Sequence, residues 1–550
     1  MVKKKEYKHI LDSVHGNIYI DKELVRNIVD TPAFQRLRRI EQTSTRAIFP
    51  SARHDRFIHS LGVYHIGCLM TKQLKKVIAE SNNLKGYVDL VDNLSECFEV
   101  ACLLHDIGHS PFSHTFEKYF GEEEDEEKKD DGKQLLRDEL LKQLRNRPSS
   151  KNRLINSTVM YSQRKTANFH ELVSAIIAIK YFRKHIRQSR QSQYDNLEFV
   201  ARMIIGCKYD YKKNDTDRQL RNCFIDLLHG GIIDADRLDY VLRDVWASGY
   251  RTSSVDIQRL IAGLFIDKNT ENRGEYVVCF KSNVLNEIQS VLDVKDFQVQ
   301  YVLNHHTVVL EQHFLEHAAL EAAEALVKKS NEKSTPLREI LRWNALTNIG
   351  VKLPVINIKG QPLIIKYMCD DDLIFLMKLT DNDNKFYQKW VNRKFGYTAL
   401  WKTRDDFFYS FEIPRTSIGE KLKEIIETTL TSAFPALKEK ENLLIKKVTY
   451  KSRIELDKLH IYMYPGHITD YGTLYRETDI IPPSKKDDDK DLIFYYVYIK
   501  DNVLSDITTQ DIIEKLKEPI MQEYKQRVSL LKNKEMYKYD LLKALEKYLN

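Results

Sequence analysis

The chain has 550 residues, of which 42% are hydrophobic, and carries 86 Lys and Arg against 79 Asp and Glu, a formal net charge of +7. This length exceeds one ordinary domain and predicts two or three. The mild basic excess suits an anionic substrate, but it does not by itself indicate nucleic-acid binding.

The sequence shows no secretory or membrane signal. Met1 to Lys5 is basic, but no apolar h-region follows, and no apolar run reaches the roughly 18 residues of a membrane span. Seven cysteines, an odd number without a CxxC pair, argue against a disulfide framework and a zinc ribbon. We therefore expect a cytoplasmic protein without membrane contact.

The first part of the chain has the apolar periodicity of helices. From about Asp30 to Lys329 apolar residues recur mostly at helical spacing, most clearly in His59 to Glu80, Phe98 to Phe120, His170 to Phe182 and Asp296 to Lys328. We expect a mainly α protein with an all-helical domain over residues 1–330. Charged stretches near 121–153 and 183–196 are expected to be mobile surface insertions, because they bury little apolar area.

Beyond Trp343 the pattern changes to short β-branched and aromatic runs. Predicted strands are Val355 to Ile358, Leu363 to Tyr367, Phe407 to Ile413, Lys458 to Tyr464 and Leu492 to Ile499. Predicted helices are Ser417 to Ser432 and Thr509 to Val528. Residues 331–550 are therefore expected to form a smaller α+β domain with an oligomerisation or regulatory role.

The segment Leu103 to His109 places a histidine and an aspartate, His105 and Asp106, inside an apolar stretch. Unpaired burial of such groups costs several kcal/mol, and a divalent metal is a suitable common partner. On a helix, His105 and His109 would project from one face. With His59 and Asp236 from two other predicted helices, the set offers nitrogen and oxygen ligands to Fe, Mn, Zn, Co or Ni. The alternative, separate structural residues, does not explain this H…HD…D order.

Further polar residues flank the predicted ligands. Arg56 precedes His59 by three residues and suits a phosphate oxygen, or else a surface salt bridge. Ser110-Pro111 should end the helix and bring His114 near the same place. An imidazole suits protonation of a departing oxygen, and Glu117 at i+3 would orient it, whereas the alternative is a histidine packed between phenylalanines.

Four motifs carry a resemblance to a known family: Asp12 to Gly16, Asp30 to Arg38, His54 to Val63, and Leu104 to His114. On these motifs the chain resembles the dNTP triphosphohydrolases of the HD superfamily, over roughly Lys8 to Lys328. The resemblance implies His59, His105, Asp106 and Asp236 as metal ligands. It also implies catalytic roles for Arg56, His109, His114, Glu117 and His170, although the family generally has aspartate where Glu117 stands.

The resemblance also implies substrate contacts. Gln42 and Thr43 would face the sugar, Arg237 a phosphate, Tyr240 the sugar, and Asp244 the 3′-hydroxyl. Thr43 replaces an often apolar residue that excludes a 2′-hydroxyl, which leaves deoxyribose selectivity open.

One family feature is missing from the segment Asp296 to His306. It lacks the family's arginine, for which Lys295, His305 or His306 are the candidate replacements. This absence leaves the triphosphate substrate less securely specified than the metal site.

A second nucleotide site is implied by Asp30, Gln35 and Arg38, which match the positions where a tetrameric relative binds an activating guanine nucleotide between subunits. The alternative is a helix start with Asp30 as N-cap and Pro32 in the first turn. The resemblance further implies a homo-oligomer, a dimer or tetramer.

The favoured function is metal-dependent hydrolysis of a dNTP to deoxynucleoside and triphosphate, with a divalent metal lowering the pKa of water towards about 7. Mg or Mn would accompany the substrate phosphates. A second hypothesis keeps the metal site but acts on nucleoside monophosphates, cyclic nucleotides or nucleic-acid ends. A third is a non-catalytic nucleotide sensor. The biological role would be control of the nucleotide pool or antiviral defence.

Overall fold

The described part of the chain forms two compact units. The computed structural model describes residues 6–46, 48–120, 129–145, 167–188, 192, 194–210, 214–230, 233–250, 255–269, 274–326, 336–343, 356–358, 361–413, 419, 421–439, 441–451, 459–463, 467–477, 491–504 and 507–532. The first unit comprises Met1–Gln298, Leu315–Gln388 and Glu455–Leu474, and the second comprises Val299–Phe314, Lys389–Ile454 and Tyr475–Asn550. Both units are discontinuous in sequence, so a domain boundary near residue 330 stays a prediction.

Helices dominate the described residues. The helices are α1 (Lys22–Leu24), α2 (Pro32–Gln35), α3 (Arg56–Glu80), α4 (Val88–Leu104), α5 (Lys129–Arg145), α6 (Phe169–Tyr181), α7 (Asn196–Ile205), α8 (Thr216–His229), α9 (Ala235–Ser248), α10 (Ile257–Ala262), α11 (Leu285–Phe297), α12 (His306–Leu326), α13 (Pro336–Leu341), α14 (Asp370–Leu379), α15 (Lys385–Val391), α16 (Arg404–Ser410), α17 (Lys421–Ala433), α18 (Tyr471–Glu477) and α19 (Thr509–Lys532). The prediction of a mainly α protein is confirmed.

Eleven short strands occur among the described residues. They are β1 (Tyr7–Asp12), β2 (Gly16–Asp21), β3 (Leu264–Asn269), β4 (Glu275–Lys281), β5 (Ile356–Ile358), β6 (Gln361–Leu363), β7 (Tyr397–Ala399), β8 (Leu443–Lys451), β9 (His460–Met463), β10 (His467–Asp470) and β11 (Asp491–Lys500). The first unit contains the hairpins β1-β2 and β5-β6 and the sheet β10-β9-β4-β3, in which β4 and β9 are parallel. The second unit contains the antiparallel sheet β7-β11-β8.

The core of the first unit is helical. Helix α3 packs on α4 and on α9, and α7 packs on α4, α6 and α8. Phe98 of α4 and Phe224 of α8 are fully buried with ring centroids 5.5 Å apart. Among the described residues, no helix combines the length and the apolar character that a membrane span requires.

Polar caps begin the helices that carry the predicted site. Asp55 accepts a hydrogen bond from the Ile58 N–H at the start of α3, and Asp234 accepts from the Arg237 N–H at the start of α9. Asn168 and Glu171 form a reciprocal capping box at the start of α6. These caps satisfy N–H groups that lack intrahelical partners, and they begin α3, α6 and α9 at these residues.

Several local predictions were wrong. Leu264–Asn269 and Glu275–Lys281 are strands β3 and β4, whose buried Leu264, Ile266 and Phe280 suit a pleated sheet, so residues 30–329 are not helical throughout. Helix α4 ends at Leu104, before the end predicted at Ser110-Pro111, and a turn containing Gly108 follows, so His105 and His109 do not share a helix face, contrary to the prediction. The stretch from Asp296 divides into α11, a π-helical turn and α12.

In the second half, the predicted strand Phe407 to Ile413 is wrong, since residues 404–410 form helix α16. A capping box of Thr403 and Asp406 begins this helix. The predicted strand Leu363 to Tyr367 is wrong beyond its first residue, because β6 ends at Leu363. The strands β5, β9 and β11 and the helices α17 and α19 lie within or overlap the predicted segments.

The two predicted insertions have different outcomes. The first lies mainly outside the described residues, apart from α5. In the second, most of residues 183–188 are exposed or half-buried, as expected of a surface segment, whereas Tyr194, Asp195 and Asn196 are buried and contradict the prediction there. Tyr194 bonds through its hydroxyl to Asp215, and the Arg218 guanidinium lies 5.2 Å from its ring centroid.

Close contact between α3 and α4 generates a stability prediction. A Cβ at Gly67 would lie 2.8 Å from Cys102 Sγ. Gly67→Val should therefore lower the free energy of unfolding by about 1–3 kcal/mol through overpacking. The control Gly86→Val lies in an exposed turn with nothing within 4 Å of the added Cβ and should change it by less than about 0.5 kcal/mol. Urea unfolding followed by circular dichroism measures both, and equal losses would contradict this account.

Candidate metal centre and active site

Three predicted ligands converge in the first unit. The ligand atoms of His59, His105 and Asp236 all lie within 4.8 Å of one another. His59 Nε2 is 3.0 Å from Asp236 Oδ1, and His105 Nε2 is 3.4 Å from the same oxygen. Asp106, the fourth predicted ligand, lies 3.4 Å from His59 and 3.5 Å from His105. Residues from α3, α9 and the end of α4 thus face one small volume.

The outer ring nitrogens of both imidazoles are already occupied. His59 Nδ1 donates to Asp239 at 2.8 Å, and His105 Nδ1 donates to the Cys102 carbonyl at 2.8 Å. Both Nε2 atoms therefore face the same small volume and lie 3.3 Å apart, close enough to share a proton or to bind one metal ion. Ring orientation fixed through Nδ1 in this way is typical of metal-bound histidines. The donor set therefore fits a divalent metal.

The charge environment also favours a cation at this position. Burial alone lowers the pKa of His59, but hydrogen bonds with Asp236 and Asp239 and the negative charge of Asp106 raise it to about 10. Burial opposes ionisation of Asp236, but the two histidines hold its pKa well below its usual range. The carboxylates thus attract positive charge to the lone pairs of His59 and His105.

A second group of imidazoles borders the first. Asp106 Oδ1 lies 3.1 Å from His109 Nε2, and His109 stacks on His170 with centroids 4.1 Å apart. Both ring nitrogens of the buried His109 lack a hydrogen-bond partner among the described residues. Burial, followed by the charges of Arg56 and His170, lowers the pKa of His109. Burial therefore favours the neutral form of the His109 imidazole, whose Nε2 lies against Asp106.

Glu117 joins the two remaining histidines. His170 Nδ1 donates to Glu117 Oε1 at 2.6 Å, and His114 Nδ1 donates to Oε2 at 2.9 Å. Burial lowers the pKa of His170, but the charge and hydrogen bond of Glu117 raise it to about 9. The side chain of His114 is 64% exposed, whereas His170 is buried. Glu117 thus orients a buried cationic imidazole and an exposed one.

Arg56 contacts both the metal centre and the loop after it. Its Nη1 donates to Asp106 at 2.5 Å, its Nε to Ser113 Oγ at 3.0 Å, and its Nη2 to the Gln42 carbonyl at 3.2 Å. The residue is 4% exposed. The predicted alternative of a surface salt bridge is therefore wrong for Arg56.

The predicted substrate residues are placed less uniformly. Arg237 Nε donates to the Tyr240 hydroxyl at 3.0 Å on the face of α9. Asp244 is buried and already accepts from His54 Nε2 at 2.6 Å and from Gln298 Nε2. A substrate hydroxyl would have to share or displace one of these bonds.

Of the two residues predicted to face the sugar, Gln42 is buried, and its Oε1 lacks a partner among the described residues. Thr43 Oγ1 lies 2.9 Å from Thr45 Oγ1. Gln42 therefore has an acceptor to offer a ligand, and the Thr43 hydroxyl has a neighbour within the protein.

The predicted regulatory residues lie on and beside α2. Asp30 and Arg38 are exposed, and Gln35 is half-buried. Gln35 donates to the Val29 carbonyl and accepts from Arg38, whose guanidinium lies 3.5 Å from the Phe57 ring centroid. Thr31, not Asp30, is the N-cap of α2. A nucleotide site here stays a prediction.

Sequence reasoning missed a buried charge network behind His59. Asp239 accepts from His59, from His15 Nε2 at 2.6 Å and from Arg243 Nε at 2.8 Å. Arg243 also donates to Asp12 at 2.8 Å. A Cβ at Gly62 would lie 1.9 Å from Asp239 Oδ1, so only glycine admits this contact with α3. The i, i+4 spacing of Asp239 and Arg243 was the available signal.

Comparison with known proteins agrees with this geometry. Residues 56–195 match the HD domain family. The chain carries an HD domain. A segment of 111 residues is 49% identical to chicken deoxynucleoside triphosphate triphosphohydrolase SAMHD1 and covers 20% of this chain and 17% of that protein. An uncharacterized protein of Mycoplasma genitalium is 28% identical over 53% of this chain and 55% of its own length.

The matches to curated relatives are partial in length. An uncharacterized protein of Methanocaldococcus jannaschii is 27% identical over 62% of this chain and 54% of its own length. This chain thus matches about half of the Mycoplasma and Methanocaldococcus relatives and a smaller part of SAMHD1. A solved phosphohydrolase from Bacteroides thetaiotaomicron aligns with 90% of this chain at a TM-score of 0.51 and 20% identity, a similarity of fold.

The contact between Asp239 and His59 generates a prediction for the HD domain. Asp239→Asn should weaken metal affinity about 10–100-fold, because the amide is a poorer acceptor for the His59 Nδ1–H. Competition with a chromogenic chelator measures the affinity.

Asp256→Asn is the matched control. Asp256 caps α10 by accepting from the Arg259 N–H at 2.9 Å, and asparagine caps about as well. Unchanged affinity in Asp239→Asn would show that this carboxylate does not support the metal centre.

Proposed function

We propose that this chain is a metal-dependent phosphohydrolase of the HD superfamily that hydrolyses deoxynucleoside triphosphates to deoxynucleoside and triphosphate. The observation that carries the proposal is the position of Asp106. Its carboxylate borders the His59–His105 metal centre on one side and His109 on the other, with Arg56 bonded to it. A phosphate bound beside Asp106 would lie close to a bound metal, to the Arg56 guanidinium and to the imidazoles of His59, His105 and His109.

A bound divalent metal supplies Lewis acidity, which polarises a phosphoryl oxygen and lowers the pKa of water. The residues of the chain perform the remaining tasks. Arg56 uses three hydrogen bonds to hold its guanidinium in place, and its remaining N–H groups offset charge that develops on phosphorus. The cationic His170 adds positive charge beside the neutral His109.

His114 is the proposed acid for the departing 5′-oxygen. Its Nδ1–H is held by Glu117, which leaves Nε2 as the atom that donates a proton to the leaving group. Its exposed position allows the proton to be replaced from solvent after each turnover. Glutamate in place of the family's aspartate is long enough to contact His114 and His170 simultaneously.

The nucleotide assignment is supported by the partial identity to SAMHD1 and by α9. Arg237, Tyr240 and Asp244 lie on this helix together with the ligand Asp236, which suits phosphate, sugar and hydroxyl contacts. Gln42 offers an unpartnered acceptor, and Thr43 follows it. Mg or Mn would accompany the substrate phosphates, as in other phosphoryl-transfer enzymes.

A second candidate keeps the metal centre and changes the substrate. Both carboxylate oxygens of Asp244 are bonded to His54 and Gln298, so its proposed bond to a 3′-hydroxyl requires rearrangement. This observation favours phosphate esters that need no such contact, such as nucleoside monophosphates, cyclic nucleotides or nucleic-acid ends. Products from those substrates distinguish the two candidates.

Product identification tests the reaction. Incubation with each dNTP and Mn²⁺ or Mg²⁺, with and without GTP, should give deoxynucleoside and triphosphate by ion-exchange chromatography. The matched sample His105→Ala with Asp106→Ala should give neither product, because two metal ligands are lost. Orthophosphate or pyrophosphate as the sole inorganic product would refute the proposed site of cleavage, and full activity in the double variant would refute catalysis at this centre.

Substitution of the proposed acid tests its role. His114→Gln should lower kcat about 10²–10⁴-fold with little change in KM, because glutamine cannot transfer the proton. His467→Gln, at an exposed histidine on β10, should match the wild type. Steady-state kinetics at saturating metal measure both variants, and a loss confined to KM would assign His114 to binding instead.

A further inference from the structure

Helix α14 begins with three consecutive acidic residues in different environments. Asp371 is exposed and pairs with Arg39 at 2.8 Å. Asp372 accepts from the Cys369 N–H at 2.8 Å and closes the capping box of α14. Asp370 is 4% exposed. Its carboxylate therefore contacts the interior of the first unit.

The partners of Asp370 are backbone groups of the catalytic region. Oδ1 accepts from the Phe112 N–H at 2.6 Å, and Oδ2 accepts from the Glu41 N–H at 2.8 Å. Arg36 reinforces the contact, since its Nε donates to the Met368 carbonyl at 2.7 Å and its Nη2 donates to the His109 carbonyl. A segment more than 250 residues away in sequence is thus bonded to the loop after the metal ligands.

The loop at this contact has an unusual backbone. Phe112 and Ser113 have φ values of 52° and 53°, in the left-handed region. Such a conformation costs about 1–2 kcal/mol for each non-glycine residue, and it persists where surrounding contacts specify it. The bond from the Phe112 N–H to Asp370 is one such contact, and the bond from Ser113 Oγ to the Glu41 carbonyl is another.

The turn is connected directly to catalytic groups. Ser113 Oγ accepts from Arg56 Nε at 3.0 Å, and His114 is the next residue. Burial raises the pKa of the Asp370 carboxyl to about 8, against the lowering by its two backbone donors and Arg36. Ionisation of the buried Asp370 carboxyl therefore costs folding free energy, whereas ionisation of an exposed residue such as Asp371 does not.

We propose that Asp370 is a positioning residue for the HD domain. It holds the left-handed turn at Phe112 and Ser113, and this turn then orients Arg56 and His114. Asp370 touches no substrate atom in this role. The inference rests on the proposed function for its catalytic consequence, whereas the tether itself can be measured without any substrate.

Hydrogen exchange tests the tether. In the full-length protein, Asp370→Ala should raise amide exchange at least tenfold in peptides spanning residues 107–116 and 38–46, with α3 and α4 unchanged. Asp370→Asn keeps one acceptor and should have a smaller effect, which guards against a variant that fails to fold. Asp371→Asn, the neighbouring exposed carboxylate, is the matched control. Unchanged exchange at Phe112 in both Asp370 variants would overturn the proposal.

Leaving-group dependence separates positioning from general destabilisation. The 5′-oxygen of dTTP needs protonation, whereas p-nitrophenolate leaves bis(p-nitrophenyl) phosphate without it. Asp370→Ala should therefore lower kcat for dTTP at least tenfold more than kcat for the aryl ester, at wild-type metal content. Equal loss on both substrates would overturn the proposed orientation of His114 by Asp370, since disorder of Arg56 alone lowers both rates alike. If the wild type cleaves neither, the proposed function fails, and exchange at Phe112 alone decides whether Asp370 holds the turn.

Discussion

The buried carboxylate of Asp106 is the constraint on which the rest of the site depends. It is nearly removed from solvent and contacts the guanidinium of Arg56 and the imidazoles of His59, His105 and His109. An isolated carboxylate in this environment would cost several kcal/mol. Cationic and hydrogen-bonding groups therefore have to surround it, and those same groups are the ones that suit a metal and a phosphate. Structure and proposed chemistry share one electrostatic origin.

The polar residues that support His59 and Asp106 explain why the interior of the first unit contains so many polar side chains. His59 is held by Asp239, which is itself held by His15 and Arg243, and Arg243 reaches Asp12 in the hairpin β1-β2. Networks of this type are stable only when each member is satisfied, since a half-paired buried charge costs more than an apolar replacement. The hairpin β1-β2 is accordingly part of the support of the candidate metal centre. Asp370 and Arg36 bond in a similar way to the backbone of the loop that follows His105 and Asp106.

Much of the fold and part of the candidate site were accessible from sequence for identifiable reasons. Apolar periodicity located α17 and α19, because a helix that buries one face repeats every 3.6 residues, and high apolar content located α3 and α6, which are buried on most sides. It failed at residues 404–410, where aromatic residues suggested a strand but the capping box of Thr403 and Asp406 begins a helix. It also extended α4 past Leu104, although Gly108 was visible in the sequence. The ligands His59, His105 and Asp236 were proposed from residue type and the resemblance, and the structure places them together.

By itself, the sequence determined which segments are apolar and become buried. It thereby determined that the histidines and aspartates inside the apolar segment near His105 need partners. The pairing of Glu117 with His114 was predicted from their spacing, but only the tertiary structure decided the other partners: His170 on Glu117, Gln298 and His54 on Asp244, and Asp370 on Phe112. The physical reason is that a hydrogen bond forms only when the donor–acceptor distance is correct to within a few tenths of an ångström, and here the two groups belong to segments remote in sequence. Close approaches such as Gly62 against Asp239 set those distances, and periodicity carries no information about them.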